Sequence, residues 1–480
     1  MNVSFIVDGA AVPAEGGATF DRKDPMTGKV ATQAAAAALA DVEKVVAAAA
    51  KAFEAWSETG LTVRRALLLK AADLMEGRTN DFIRLMLEET GATAPWAGFN
   101  VHLAAGMLRE AAALTTQITG EVIPSDKPGI LSMAIRQPAG VVLGMAPWNA
   151  PVILGTRAIA APLACGNTVI LRSSEICPGT HHLIGQVLND AGFPKGVVNV
   201  LSNAPADAPK IVEALIAHPA IRRINFTGST KVGRIIAKLA AEHLKPVLLE
   251  LGGKAPLIVL DDADLDQAVD AAVFGAFMNQ GQICMSTERI IVDDSVADAF
   301  VAKFAAKASK LPAGDPRGHV VLGSLVDLAP AERMDVLITD AVAKGAKVVA
   351  GGKRNATVVE ATLLDHVKAK MKIYSEESFG PVKSIIRVNG VDEAVRVAND
   401  TEYGLSAAVF GRDITRAMAV AKRIQSGICH INGPTVADEA QMPFGGMKSS
   451  GYGRFGGKSV INEFTDLRWI TIEGPQHYPF

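Results

Sequence analysis

Cysteine is scarce in this sequence, and no two cysteines lie close enough to form a recognised pair. The four stand at Cys165, Cys177, Cys284 and Cys429, with no CxxC motif. Such isolation argues against a disulfide framework and against a thiolate zinc site. The nine histidines show neither HExxH spacing nor a triad pattern, so we assign no metal. A chain with free, scattered thiols fits a reducing compartment.

Long apolar runs and an excess of one charge are also missing. No apolar run approaches the roughly 18 residues that cross a membrane. The formal net charge is −2, so no basic field attracts nucleic acid or anionic lipid. Residues 1–8 lack a basic start followed by an apolar stretch, so we expect no secretory signal and a cytoplasmic location. The partner is therefore expected to be a small molecule.

The sequence has 480 residues, of which 49% are hydrophobic and 20% charged. This composition is typical of a folded globular protein, and this length predicts two or three domains. The pattern of apolar residues makes the first hundred residues look mostly helical, with helices expected at 41–56, 64–75, 81–89 and 97–115.

From residue 140 to about 260, short β-branched runs alternate with helical runs, which predicts a doubly wound parallel sheet. A second alternation follows after 260 and carries Cys284. Two extended runs, 121–124 and 130–137, predict a projecting ribbon. The late run Arg468–Ile472 is a further strand that could pair with this ribbon, within or between subunits.

Cys284 lies in a segment of small and amide-bearing residues, Asn279–Arg289. Gln280 and Gln282 could donate hydrogen bonds without charge, and Gly281 lets the backbone approach a ligand. Cys284 is therefore a candidate nucleophile. From the segment alone, a small buried hydrophobic cysteine is the more common situation, and that alternative stays open here.

Three further segments carry polar residues at predicted strand ends. Phe226–Gly233 joins a strand to a helix, where Gly228 and Ser229 could hold a phosphate at the helix N-terminus. Glu250 ends an apolar strand, as a general base or as half of an ion pair with Lys254. Asn149 could donate to an oxyanion or merely form a turn. His181 and His182 fall on a predicted helix, where exposure to solvent is the default.

Six motifs, in this order, resemble those of the aldehyde dehydrogenase family: Pro147–Asn149, Phe226–Gly233, Leu249–Lys254, Gly281–Cys284, Glu376–Val382 and Pro443–Arg454. The resemblance implies an α/β fold with a Rossmann-like NAD-binding domain, an α/β catalytic domain and a small β-ribbon oligomerisation element. The domains would cover residues 1–119 and 141–250, then 251–440, and for the ribbon 120–140 and 463–480. The subunits would form a homodimer or homotetramer.

The resemblance also implies roles for single residues. Cys284 would be the nucleophile, Glu250 the general base and Asn149 an oxyanion donor. NAD would be the cofactor. Residues expected to bind it are Pro147, Trp148, Arg172, Ser174, Glu175, Gly228, Ser229, Gly233, Leu251, Glu377 and Phe379. The family usually has lysine at position 172, and arginine there could meet the 2′-phosphate of NADP, but Glu175 would repel it.

The expected substrate is an aromatic aldehyde. Where the family commonly has bulky aromatics and a tryptophan, this chain has Ala150 and Arg157. A wide tunnel with a guanidinium suits a flat ring bearing a hydroxyl or carboxylate. The residues expected to line the tunnel are Trp96, Ala150, Leu154, Arg157, Ile283 and Met285. This combination resembles the branch of the family that oxidises salicylaldehyde and vanillin.

Three alternatives remain from the sequence. Arg157 could instead form an ion pair at a subunit interface. It could hold the carboxylate of an aliphatic semialdehyde, which would then be the substrate. The chain could also be a non-catalytic binding or structural relative, although Cys284, Glu250 and Asn149 are all present.

Overall fold

Two large sheets, each made of strands rich in valine, isoleucine and leucine, organise the protein. The computed structural model describes all 480 residues, Met1 to Phe480. The strands of the first sheet lie in the order Gly451–Tyr452, Val247–Glu250, Ile221–Thr227, Val141–Met145, Thr168–Arg172, Val198–Leu201, Phe5–Val7 and Ala10–Val12. The five central strands, from Val247–Glu250 to Val198–Leu201, are parallel.

Helices accompany this sheet along the chain. Their bounds are Leu39–Ser57, Leu61–Gly77, Thr79–Thr90, Ala94–Leu114, Pro151–Ala164, Pro178–Ala191, Ala208–Ala217 and Thr230–Glu242. Strand Val141–Met145 has Thr168–Arg172 on one side and Ile221–Thr227 on the other. After strand Val141–Met145, the chain therefore adds strands on one side of it and then returns to add strands on the other side. A ligand crevice is expected at such a reversal, beyond the carboxyl ends of the strands.

The second sheet has seven strands, in the order Lys347–Ala350, Thr362–Asp365, Val382–Val388, Thr287–Asp293, Ala255–Val259, Ser406–Phe410 and Ile428–Ile431. All are parallel to their neighbours except the edge strand Lys347–Ala350. The remaining helices are Leu265–Phe277, Asp294–Ala308, Leu328–Ala343, Lys372–Ser375, Gly390–Asn399, Ile414–Ala421 and Ser459–Phe464. The doubly wound pattern predicted from the sequence is thus present in both halves.

A third sheet forms the ribbon. Its strands are Thr465–Ile472, Leu131–Pro138 and Glu121–Ile123, in that order and antiparallel. The late strand predicted at Arg468–Ile472 therefore pairs within the chain. The short strand Gly451–Tyr452 joins the first sheet from a distant part of the chain, by pairing with Val247–Glu250.

The prediction for the N-terminal region was wrong before residue 36. Strands occupy Asn2–Val3, Phe5–Val7, Ala10–Val12, Thr19–Lys23 and Val30–Ala35. These strands are too short for a period of two to stand out, and their alanines have no β preference of their own. They form through pairing with distant parts of the chain, as Ile6 does with Val200.

The histidine pair was also predicted wrongly. His181 and His182 lie on helix Pro178–Ala191 but are buried. Burial lowers the pKa of His181 to about 3, so its ring is neutral. Its Nδ1 accepts a hydrogen bond from the Ser174 N–H at 3.1 Å.

Helix Pro151–Ala164 is buried along its entire length. Proline at its first position suits a helix start, where no backbone N–H is needed. An apolar helix with no solvent face usually carries no charge, yet Arg157 lies in its middle. None of the protein's helices combines the length and the apolar character that crossing a bilayer requires.

Candidate active site

A cavity of about 590 Å³ opens where the first sheet reverses direction. Its walls come from loops that follow strands Val141–Met145, Ile221–Thr227 and Val247–Glu250, and from the chain that precedes Val382–Val388. The lining residues are Pro147, Trp148, Asn149, Leu154, Thr227, Gly228, Ser229, Glu250, Leu251, Gly252, Cys284, Arg333, Ser375, Glu376, Glu377, Phe379, Glu402 and Tyr403. We call it the large cavity.

A second cavity of about 160 Å³ meets the first. It is lined mostly by apolar side chains, namely Trp96, Phe99, Leu103, Asn149, Ala150, Ile153, Leu154, Arg157, Phe274, Met278, Ile283, Cys284, Met285, Val436, Ala437, Asp438 and Phe444. We call it the apolar cavity. Cys284, Asn149 and Leu154 line both cavities. A molecule in either one therefore reaches the same sulfur.

The Cys284 loop is held in an unusual backbone conformation. Asn279, Gln280 and Gly281 have φ of 49°, 57° and 72° in succession. Two non-glycine residues in the left-handed region are costly unless the surroundings fix them. The side chains of the loop do so: Gln280 donates from Nε2 to the Ser324 carbonyl at 3.0 Å. The loop is thus a preformed turn that presents Cys284.

The expectation that Gln280 and Gln282 face a ligand was wrong. Both are buried away from the two cavities. The Gln282 Oε1 accepts from the Val326 N–H at 3.1 Å, which ties the loop to a neighbouring segment. Their amides are used inside the protein because they pair with backbone groups of Ser324 and Val326 and so hold the loop against that segment.

Glu250 lies at the end of its strand and is 1% exposed. Its carboxyl oxygens have no hydrogen-bond partner apart from the Cys284 thiol, which lies close enough to affect the pKa of Glu250. The alternative ion pair with Lys254 does not form, since Lys254 donates instead to Glu288 at 2.7 Å and to the Glu376 carbonyl at 2.6 Å. Glu250 is therefore a buried acid without a structural partner, facing the cavity that also contains Cys284.

Burial changes the acidity of both groups. It raises the pKa of Glu250 to about 8, against the opposing charge of Arg157. It raises the pKa of the Cys284 thiol well above its usual range, and the negative charge of Glu250 adds to that rise. In this state the sulfur is a thiol. A carboxyl group with a pKa near 8 can both accept and release a proton at physiological pH.

The Asn149 side chain is fixed beside the sulfur. Its Nδ2 donates to the Gln282 carbonyl at 3.0 Å, which leaves its second N–H for a ligand. Its own backbone carbonyl accepts from Trp96 Nε1 at 3.0 Å and from Asn279 Nδ2 at 2.9 Å. Trp96 therefore anchors the loop and also lines the apolar cavity, where it stacks on Phe99 with ring centroids 5.6 Å apart.

The opposite part of the large cavity suits a dinucleotide. Gly228 and Ser229 precede helix Thr230–Glu242, whose first turn offers N–H groups to a phosphate. A side chain at Gly252 would fill the space between Glu377 and Tyr403, so glycine keeps a cradle open there. Glu377 is fixed by the Gly253 N–H at 2.9 Å.

The aromatic wall of this region comes from two chain segments. The rings of Trp148 and Phe379 meet edge to face, with centroids 5.7 Å apart. Phe379 has a φ of 49°, a strained conformation for a bulky residue. This strain turns the phenyl ring into the large cavity, where a flat heterocycle could lie against it.

Four residues predicted to bind the cofactor lie outside the large cavity. Gly233 packs beneath Leu251, where a side chain would collide, so its role there is helix packing. Ser174 accepts from the Ile176 N–H at 3.2 Å and shapes a turn. Arg172 donates to the Glu175 carboxylate and to Asn203 Oδ1 at 2.8 Å. Arg172 and Glu175 thus form an ion pair beyond the end of strand Thr168–Arg172.

Arg157 lines the apolar cavity as predicted, but its strongest contacts are internal. Its Nη2 donates to the Asp438 carboxylate, and its guanidinium carbon lies 4.3 Å from the centre of the Phe444 ring. The stacking and ion pairing expected toward a substrate, or toward another subunit, are thus made within the chain. A cation on a buried helix requires such partners.

Sequence reasoning missed several lining residues. The missed residues of the large cavity include Arg333, Glu402 and Tyr403. In the apolar cavity it missed Asp438 and Phe444, among others. Phe444 belongs to the motif Pro443–Arg454 and could have been found there. Asp438 gives no local signal, since its partner Arg157 lies 281 positions away in the sequence.

Comparison with known proteins agrees with this geometry. The model of the aldehyde dehydrogenase family matches residues 12–470. The chain is 62% identical to a vanillin dehydrogenase of Pseudomonas fluorescens, over the full length of both. It is 38% identical to a benzaldehyde dehydrogenase [NAD(+)] of Pseudomonas putida, covering 95% of this chain and 94% of that one.

A solved structure is also similar over its full length. The salicylaldehyde dehydrogenase of Pseudomonas putida G7, crystallised with salicylaldehyde, superposes with a TM-score of 0.98. The two chains are 54% identical, and the match covers 100% of each. The resemblance and the fold predicted from the sequence motifs are thereby confirmed.

Proposed function

The chain belongs to the aldehyde dehydrogenase family, and we propose that it oxidises hydroxylated aromatic aldehydes, such as salicylaldehyde, to carboxylic acids with NAD. It is an oxidoreductase. The observation that carries the proposal is that one thiol, Cys284, lies where a dinucleotide-sized cavity meets a small apolar one. An aldehyde and a cofactor could thus reach the same sulfur from opposite sides.

Cys284 would attack the aldehyde carbon and form a thiohemiacetal. The sulfur must first lose its proton, which would pass to solvent through water in the large cavity, so this step does not depend on Glu250. The second N–H of Asn149 and the backbone N–H of Cys284 would stabilise the oxygen anion. Neutral donors suit this buried position because they need no counter-charge.

A bound nicotinamide would supply the hydride acceptor that no side chain provides. Gly228, Ser229, Glu377 and Phe379 would hold the cofactor in the large cavity. Loss of hydride converts the thiohemiacetal into a thioester on Cys284. Glu250 would then remove a proton from water, which attacks the thioester and releases the acid.

The ion pair between Arg172 and Glu175 supports NAD as the cofactor. The Arg172 guanidinium is already paired with Glu175 and Asn203, so it is not free for the 2′-phosphate of NADP. The Glu175 carboxylate could accept from ribose hydroxyls and would repel a phosphate at the same place.

The Glu175→Gln variant is expected to accept NADP better. Removing the negative charge ends the repulsion and releases Arg172, so the NADP to NAD ratio of kcat/KM should rise by about 10-fold or more. Steady-state kinetics with both cofactors measures this ratio. Glu213→Gln, on an exposed helix position of the same domain, is the matched control. An unchanged ratio in Glu175→Gln would contradict the cofactor assignment.

The substrate class is tested by a panel of aldehydes. We expect kcat/KM for salicylaldehyde and vanillin to exceed that for succinic semialdehyde, because the apolar cavity is walled mainly by apolar and aromatic side chains. The semialdehyde alternative required a free Arg157, whereas this guanidinium is paired with Asp438. A preference for succinic semialdehyde would refute the aromatic proposal. Absence of NADH formation with every aldehyde would favour the non-catalytic alternative.

We also propose that the protein forms a homodimer or homotetramer through its ribbon. Strand Thr465–Ile472 is an edge strand, and Trp469 on it is 74% exposed. An apolar edge of this kind calls for a partner strand. Light scattering should give a mass of two or four chains, and the mass of one chain would contradict the proposal.

A catalytic thiol must stay reduced, which supports the expected cytoplasmic location.

A further inference from the structure

Asp438 stands out in the apolar cavity because it is one of only two charged residues that line it. The other, Arg157, is its partner. Their side chains are 9% and 6% exposed, respectively. None of the steps proposed above uses Asp438. Burying an acid in a cavity walled by aromatic and aliphatic side chains costs desolvation free energy, which its contacts must offset.

The two carboxyl oxygens of Asp438 have different surroundings. The Oδ2 atom accepts from Arg157 Nη2. The Oδ1 atom is buried and has no hydrogen-bond partner. Asp438 lines the apolar cavity, and the terminal torsion of an aspartate rotates over a broad range, so a turn about Cβ–Cγ could bring an oxygen to face a ligand there. Besides Arg157, the donor near this carboxylate is the backbone N–H of Glu439, which does not satisfy Oδ1.

Arg157 determines what kind of group this carboxylate can meet. The guanidinium is packed over the Phe444 ring, with its carbon 4.3 Å from the centre, and its charge offsets that of Asp438. The pair is therefore close to neutral overall, but its unsatisfied atom is an acceptor. The complementary ligand group is a hydrogen-bond donor without negative charge.

We propose that Asp438 accepts a hydrogen bond from a ring hydroxyl of the aldehyde and is a specificity-determining residue for hydroxylated rings. The inference rests on the proposed function, since it names the feature of the aromatic substrate that this site reads. It predicts a preference over rings that lack the hydroxyl. It also predicts discrimination against aldehydes that carry a carboxylate, which would face the Asp438 oxygen.

The first test uses the unaltered enzyme with paired substrates. Salicylaldehyde is compared with 2-fluorobenzaldehyde, and 4-hydroxybenzaldehyde with 4-fluorobenzaldehyde, because fluorine resembles a hydroxyl in size but cannot donate. We expect kcat/KM to favour the hydroxyl in at least one pair by about 10-fold, as a charged acceptor permits. In the para pair a hydroxyl makes the aldehyde carbon less electrophilic than fluorine does, so intrinsic reactivity opposes this preference there. No preference in either pair would overturn the proposal.

The second test replaces the acceptor. Asp438→Asn keeps the shape of the side chain and a carbonyl oxygen for Arg157 but removes the negative charge. It should lower kcat/KM for the preferred hydroxybenzaldehyde by about 10-fold and change that for its fluoro partner by less than about 3-fold. Asp438→Ala should abolish the preference as well. Glu439→Gln, at the exposed neighbouring position, is the control and should keep it.

The outcomes separate this inference from the proposed function. If the unaltered enzyme oxidises none of the four rings, the proposed function fails. If the unaltered enzyme prefers a hydroxyl and Asp438→Asn keeps that preference, another group binds the hydroxyl and the inference is overturned. If Asp438→Asn lowers kcat/KM equally for both members of a pair, Asp438 acts by positioning Arg157, and the inference is also overturned. If Asp438→Asn does not fold, Asp438→Ala and the unaltered enzyme still decide.

Discussion

Cys284→Ser should lose the oxidation of salicylaldehyde almost completely, with kcat/KM falling by at least about 10⁴-fold. A serine hydroxyl is a much weaker nucleophile than a thiol, and burial next to Glu250 would make its ionisation still harder. The hydride-donating intermediate therefore does not form. NADH formation measured by absorbance gives the rate, and fluorescence titration with NAD checks that the large cavity still binds the cofactor.

The matched control is Cys429→Ser. Cys429 is half-buried on the second sheet, and burial raises the pKa of its thiol to about 11. It lines neither cavity, so this variant should keep the activity of the unaltered enzyme. Strong activity in Cys284→Ser, or loss of activity only in Cys429→Ser, would assign the chemistry to a different thiol.

Glu250→Gln is expected to stop the reaction at a single step. Asn149 and Cys284 remain, so the first turnover should release about one NADH per active site. Glutamine cannot take a proton from water, and the thioester would persist. The steady rate after the burst should fall by about 10²- to 10⁴-fold, the usual contribution of a general base. Stopped-flow absorbance resolves the two phases. Unaltered steady turnover would show that another group activates the water.

The pH dependence of the steady rate follows from the same residue. Glu250 works as a base only as a carboxylate, and burial raises its pKa to about 8. Below this pH the carboxylate fraction falls about 10-fold for each unit. Hydrolysis of the thioester should therefore speed up as the pH rises to about 8 and then level off. The residual rate of Glu250→Gln should lack this dependence, and a flat profile in the unaltered enzyme would count against Glu250.

Much of the fold could be predicted because its signals are local. A strand followed by a helix shows a change from continuous apolar runs to a period of 3.6, and this alternation continues through both large sheets. The ribbon was recognisable from two strands and a turn. The N-terminal strands were not recognisable, because segments such as Asn2–Val3 and Val30–Ala35 become strands only through pairing with other segments of the chain.

The site divides in the same way. Asn149, Glu250 and Cys284 each follow or precede a regular element, within motifs of several residues, so their approach to one cavity could be expected. The direction in which each side chain points could not be expected from the sequence. Gln280 turns into the protein, where its amide donates to the Ser324 carbonyl and holds the left-handed loop in place. The pairing of Arg157 with Asp438 depends on folding over a long sequence distance, which spacing cannot show.

The most direct test of the account is the mass of the Glu250→Gln protein after mixing with NAD and salicylaldehyde. The thioester should accumulate, and the intact mass should increase by one salicyloyl (2-hydroxybenzoyl) group per chain. Peptide analysis should place that group on Cys284. An unmodified chain after a full burst of NADH, or an acyl group on Cys165, Cys177 or Cys429, would contradict Cys284 as the nucleophile.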